Sequence, residues 1–323
     1  LHLAKWYGDD LSRPDYAQPY YAQIVQLDPN NVGALRQMAQ LYRKNADWVQ
    51  LGKTLTRALD VAVTDLDRKE ILTELGEVLD HQMNQTDQAI SYFQRALEVD
   101  GHFLQALENL ERIYESRAQN KELVETLTKK VAALREPADV VITKNRIGGL
   151  YEAMPHEMQK AAQAYRDVLD IEATNLQGLR GLARTYAVLE QWSDLVRVLE
   201  TELEVVTTER ERIDILMQLA RIHEEQFLKA DVAAQRLEQV VEIDPNHEAA
   251  YEALTRCYKK QRLWSEFINA AERHISATLE RKTKIDLYAA IAQVQEDELD
   301  DADRAIDAYR NIVDLDDTNV AAL

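Results

Sequence analysis

Asp28, Asp100, Glu172, Asp244 and Asp316 stand 72 residues apart, with no insertion or deletion between them. Tyr42, Tyr114, Tyr186 and Tyr258 keep the same interval, as do Trp48, Asn120, Trp192 and Trp264. A strict period of this length is one supersecondary unit copied along a chain. Such a unit cannot bury its apolar face alone, so the copies stack, and the product is a solenoid without a single central core. The functional question moves from which reaction to which partner.

Each period reads as two helix pairs. Leu35, Met38, Ala39 and Tyr42 fall at i, i+3, i+4 and i+7, one apolar stripe of a helix. Asn45-Ala46-Asp47 interrupts the stripe, Asp47 is placed to cap a second helix, and Leu51, Leu55, Ala58 and Leu59 continue the pattern there. The next pair runs through Leu72, Leu75, Gly76 and Leu79, breaks at Gln82 to Thr86, and resumes at Ala89, Phe93, Ala96 and Leu97. Its turn is one residue longer, so the period is a doublet of unequal members. With 9 Gly and 6 Pro in 323 residues, the chain lacks the turns of an all-β protein, and its composition favours helix formers. The reading is all-α, with helix pairs at about 1–27, 31–61, 67–99, 103–133, 139–171, 175–205, 209–243, 247–277 and 281–315, forming one continuous array over 1–323. Pro137 is placed to open a helix.

The run Ala17, Tyr21, Ile24, Asp28-Pro29-Asn30 resembles the second half of the tetratricopeptide repeat (TPR) motif, and so do Ala89, Phe93, Ala96, Asp100 and Ala305, Tyr309, Ile312, Asp316. The turn proline remains at Pro29 and Pro245, while Gly101, Ala173 and Asp317 replace it elsewhere. The resemblance implies a right-handed superhelix of antiparallel helix pairs whose first helices line a concave groove. Residues 1–7 align with 73–79 and residues 319–323 with 31–35, so the chain reads as a fragment of a longer multi-TPR array. Exposed apolar ends at Leu1, Leu3, Tyr7 and Val320 to Leu323 are then expected to favour end-to-end self-association.

A formal net charge of −19 repels nucleic acid and anionic lipid, so neither is an expected partner. No apolar run approaches the roughly 20 residues that span a bilayer. The single cysteine, Cys257, excludes an intrachain disulfide and a cysteine-built zinc site. It occupies the apolar slot of Leu41 and Ile113, which predicts a buried small hydrophobe, and the lack of disulfides makes a cytoplasmic location the default. His223-Glu224 begins like a zinc-protease helix, but Phe227 stands where the second histidine is needed, and His247 fails likewise at Tyr251. Gly148 shares a slot with Gly76 and Ala220, which is a packing position. The acidic run 296–303 lacks the glycine and terminal glutamate of a calcium loop and suits the start of a helix. Trp48, Trp192 and Trp264 open second helices and read as wedges between neighbours. No catalytic residue, metal site or cofactor is predicted.

A second stripe on the first helices reads Gln40, Glu77, Arg112, Gly149, Arg184, Arg221, Arg256 and Gln293. By the resemblance it faces the groove. Arg180 lies one turn before Arg184, and Arg36 holds the corresponding place in its own repeat. The candidate partner-binding residues are Arg36, Arg112, Arg180, Arg184, Met217, Arg221 and Arg256, with Arg184, Arg221 and Arg256 as a ladder over three consecutive pairs. Tyr186 is a weaker apolar candidate that belongs mostly to the core. Guanidinium forks suit carboxylates, so the predicted function is a non-catalytic protein-interaction scaffold holding an acidic segment in the groove. A competing reading keeps the arginines for internal pairs, with Glu252 beside Arg256 and with Asp214, Glu224 and Glu225 near Arg221. The Lys and Asn one turn apart that clamp chaperone C-termini in related arrays are absent: the pairs here include Arg36/Gln40, Arg180/Arg184 and Glu252/Arg256. The alternative function is a targeting or autoinhibitory arm of a larger protein with its catalytic domain elsewhere.

Overall fold

The 72-residue rhythm of the side chains is also the rhythm of the backbone. A computed structural model describes residues 14–317; the apolar ends at Leu1, Leu3, Tyr7 and Val320 to Leu323 lie outside them. The described residues form seventeen α-helices and no strand. In chain order these are α1 (Pro14–Leu27), α2 (Val32–Lys44), α3 (Trp48–Asp60), α4 (Asp65–His81), α5 (Thr86–Val99), α6 (Leu104–Ser116), α7 (Asn120–Ala133) and α8 (Pro137–Glu152). They continue with α9 (Met158–Leu169), α10 (Leu176–Val188), α11 (Trp192–Val205), α12 (Glu209–Glu225), α13 (Ala230–Ile243), α14 (Glu248–Gln261), α15 (Trp264–Ala277), α16 (Arg281–Asp297) and α17 (Ala302–Leu315). Val32, Leu104, Leu176 and Glu248 open equivalent helices 72 residues apart, and so do Asp65, Pro137, Glu209 and Arg281. The first helices alternate between 13 or 14 residues and 16 or 17, which makes the two members of each period unequal. Two compact units divide between Glu157 and Met158. Within each, consecutive helices pack along the chain.

The caps explain the register. Asp47, Thr64, Asn175, Thr208 and Asp301 each accept a hydrogen bond from the backbone N–H three residues on, which satisfies an orphan donor and starts a helix there. Asp301 thereby uses part of the acidic run, and among the described residues no acidic, His or Cys group is placed to hold a metal ion. Pro137 is the first residue of α8. Among the described residues no helix is long and apolar enough to cross a membrane.

The turns use left-handed residues that are not glycine. Ala46, Ala118, Glu190 and Arg262 form one 72-residue series and Asn84, His156, Leu228 and Asp300 another, with φ between 52° and 65°. In the short turns the next amide reaches back to the periodic tyrosine, as Asp47 N does to the Tyr42 carbonyl at 2.9 Å and Gln191 N to Tyr186 at 2.9 Å. That closure needs a left-handed residue, which costs an ordinary side chain about 1–2 kcal/mol. Leu228 is 82% exposed, so its side chain packs little. Leu228→Gly is expected to stabilise the α12–α13 turn by about 1 kcal/mol. Slower amide exchange across that turn would show it; unchanged or faster exchange would disprove it.

Packing relies on small residues against rings. A Cβ on Gly76 would meet the Phe93 ring at 2.6 Å, and one on Gly181 would meet the Tyr165 ring at 2.3 Å. Gly148 is buried, Cys257 is fully buried, and burial pushes its thiol up to about 11. Trp48, Trp192 and Trp264 are half-buried at the starts of α3, α11 and α15, and Trp48 packs on the core of the first unit. Tyr186 is buried in the core and leaves the groove.

Candidate partner-binding cleft

The second unit brings five of the seven candidate residues together. Helices α10, α11 and α12 enclose a cleft of about 480 Å³ lined by Arg180, Ala183, Arg184, Ala187, Glu202, Glu211, Asp214 and Gln218. Helices α12, α13 and α14 enclose another of about 450 Å³, lined by Met217, Gln218, Arg221, Glu224, Glu225, Ala249, Ala253 and Arg256. Gln218 lines both, so the two form one track along α12. Alanines open the space and the charged residues frame it. Met217 is half-buried and rests on the core beneath.

The arginines are held by carboxylates. Arg180 donates from Nε to Glu202 at 2.8 Å and from Nη2 to Glu211 at 2.6 Å, and these bonds raise its pKa further. Arg256 donates two hydrogen bonds to Glu224, both at 2.8 Å, and Lys260 adds a third at 2.8 Å. The Arg256 hydrogen bonds, supported by Lys260 and opposed by burial, hold the Glu224 carboxyl down at about 2. Arg221 pairs with Glu225 at 3.1 Å on its own helix, and its side chain is 76% exposed. The first cleft thus holds two arginines and three carboxylates, and the second holds two of each. The predicted ladder is interleaved with acid. Asp214 takes no part in the pairs that engage Arg180, Arg221 or Arg256.

Arg36 and Arg112 belong to the first unit. Arg36 pairs with Asp67 at 2.9 Å and Glu70 at 2.8 Å, and Arg112 pairs with Asp80. These partners sit on the first helix of the adjacent pair. Arg43–Glu74, Arg180–Glu211 and Arg256–Glu224 follow the same rule, at separations of 31 or 32 residues. The expected pairing of Arg256 with Glu252 on its own helix is therefore replaced by Glu224 across the stack. An i,i+4 partner on an exposed helix gives little, whereas Glu224 is buried and accepts two bonds at once. Glu202, Glu211 and Gln218 were not picked out by sequence reasoning. Glu211 could have been found by searching for opposite charges one repeat away, whereas Glu202 lies 22 residues from Arg180 on the second helix of the same pair.

A tetratricopeptide repeat family model matches residues 34–69 and 106–141, and a second matches residues 70–103. Residues 34–141 are thus built of tetratricopeptide repeats. Beyond residue 141 the helices keep the 72-residue register of the matched repeats. A solved structure of Naa15/Naa10 bound to HypK-THB is similar over 99% of this chain and 58% of that one, at 12% identity and a TM-score of 0.50, a likeness of fold. YrrB, described as a TPR protein with an unusual peptide-binding site, aligns over 62% of this chain and 96% of its own at 14% identity and a TM-score of 0.40. The C-terminal part of a TPR repeat-containing protein from Cytophaga hutchinsonii aligns over 99% and 97%, at 14% identity and a TM-score of 0.35. A comparison with curated protein sequences finds no match.

Proposed function

We propose that this TPR array is a non-catalytic protein-interaction scaffold that holds a partner segment in the track along α10, α12 and α14. The observation that carries the reading is the continuity of the two clefts through Gln218, on the face where the candidate arginines gather. Ion pairs fix Arg180 and Arg256 at the frame of the track before any partner arrives, so ordering costs fall mainly on the partner. Helices offer side chains and no free strand edge, so recognition runs through charge and shape. A uniformly acidic segment is disfavoured, because Arg180 and Arg256 already hold carboxylates and an incoming acid must displace them.

Selection from a displayed library of short random peptides tests this reading. Ala249 is exposed and Ala187 half-buried, so Ala249→Trp and Ala187→Trp fill the clefts without entering the core. Peptides selected on the wild type are expected to bind each variant about tenfold or more weakly, a loss of about 1.4 kcal/mol. Equal binding by variants whose circular dichroism is unchanged would place the site elsewhere.

A further inference from the structure

Resting on that reading of the track, we propose that its occupant is an extended segment of mixed charge, with a basic and an acidic residue three positions apart and an apolar side chain between them. Along the exposed face of α12, Asp214, Gln218 and Arg221 follow at i, i+4 and i+7, with Met217 beside Gln218. They therefore share one face. Two helical turns separate Asp214 from Arg221, about 10 Å along the axis. An extended segment of the polyproline II type has three residues per turn and rises about 3.1 Å per residue, so side chains three positions apart share one face and span about 9 Å.

The charges at the two ends differ in sign. At the first cleft, Glu202 and Glu211 are occupied by Arg180, which leaves the Asp214 carboxylate to meet a cation. At the second, Glu224 is saturated by Arg256 and Lys260. Arg221 is 76% exposed and held only by a solvated pair within its own helix, which a partner carboxylate displaces at little cost. Met217 lies between the two ends, half-buried and lining the second cleft. A uniformly acidic segment would meet Asp214, and a uniformly basic one would meet Arg221. A mixed segment satisfies both ends at once, and like charges juxtaposed in a cleft are strongly selected against.

The same displayed library tests the pattern. Wild-type protein is expected to enrich peptides carrying Lys or Arg three positions from Asp or Glu, in either chain direction, around an apolar residue. Asp214→Lys should weaken those peptides about tenfold and move selection towards acid at both positions, while Arg221→Glu should move it towards base at both. Both positions are exposed, and unchanged circular dichroism would confirm folding. Enrichment of uniformly acidic peptides that still lose binding to Ala249→Trp would overturn the mixed-charge proposal and leave the track standing. Enriched peptides indifferent to both tryptophan variants, or no enrichment at all, would overturn both.

Discussion

Gly181→Ala is expected to destabilise the α9–α10 packing by about 2 kcal/mol, although alanine is the better helix former by about 1 kcal/mol. The reason is the Tyr165 ring, whose atoms lie 2.3 to 2.6 Å from where the new methyl carbon would stand. Real carbons do not approach so closely, and Tyr165 is 2% exposed, so its ring cannot swing into solvent. Gly178, one turn earlier on α10, faces Val168 at 2.9 Å in the same manner. The two glycines therefore set how near α9 and α10 lie. A double-mutant cycle with Tyr165→Leu isolates the clash. On that background Gly181→Ala should turn stabilising by about 1 kcal/mol, a coupling of about 3 kcal/mol. Amide exchange across α9 and α10 is the suitable measurement, because repeats open locally. If Gly181→Ala stabilises the otherwise wild-type protein, the ring yields freely and the packing argument fails.

How much of this was legible without coordinates depends on whether the cause is local. Apolar stripes such as Leu35, Met38, Ala39 and Tyr42 declare a helix from one strand of text, and the caps at Asp47 and Asp301 declare where helices start. The all-α solenoid and its unequal doublet followed from these. The left-handed turns did not, because Ala46, Glu190 and Leu228 carry none of the glycine or asparagine that normally marks such a position. The demand there comes from the stack, which forces a tight reversal whatever residue stands at it. Gly178 and Gly181 stand inside a helical pattern without any local mark of their role, which lies in Tyr165 and Val168 on the neighbouring helix.

The site divides in the same way. A shared face on consecutive first helices was readable, and it places Arg180, Arg184, Met217, Arg221 and Arg256 on one track. Charge balance was not, since most of the partners come from a neighbouring repeat, before or after. Arg36 finds Glu70 at a separation of 34 residues, and Arg146 finds Glu115 at 2.8 Å on the first helix before its own. Offsets of this size are invisible to a scan for i,i+4 neighbours. They appear once the period is used as a ruler for opposite charges.

Glu224→Gln is expected to loosen α12 from α14 by about 2 kcal/mol at neutral pH. Three charge-assisted hydrogen bonds meet on this carboxylate, whose side chain is only 6% exposed. Hydrogen bonds to charged groups contribute about 1.5–3 kcal/mol each, but Arg256 and Lys260 are 53% and 54% exposed, so solvent screens the sum. The pH dependence has a definite sign. Folding lowers this carboxyl from its usual 4.5 to about 2, so its contribution is complete above pH 4.5 and disappears as pH falls towards 2. Wild-type amide protection in α12 and α14 should decline through that window more steeply than in the glutamine variant, whose side chain does not titrate. Parallel declines, or equal protection at neutral pH, would assign the coupling of these helices to apolar contact alone. The consequence for recognition follows from the geometry. Glu224 holds the Arg256 fork against α12, so the variant should release Arg256 to compete with Arg221 for a partner's carboxylate. Peptides selected on the wild type should then bind the variant with altered spacing between their acidic and basic residues, while Asp214 continues to select the base.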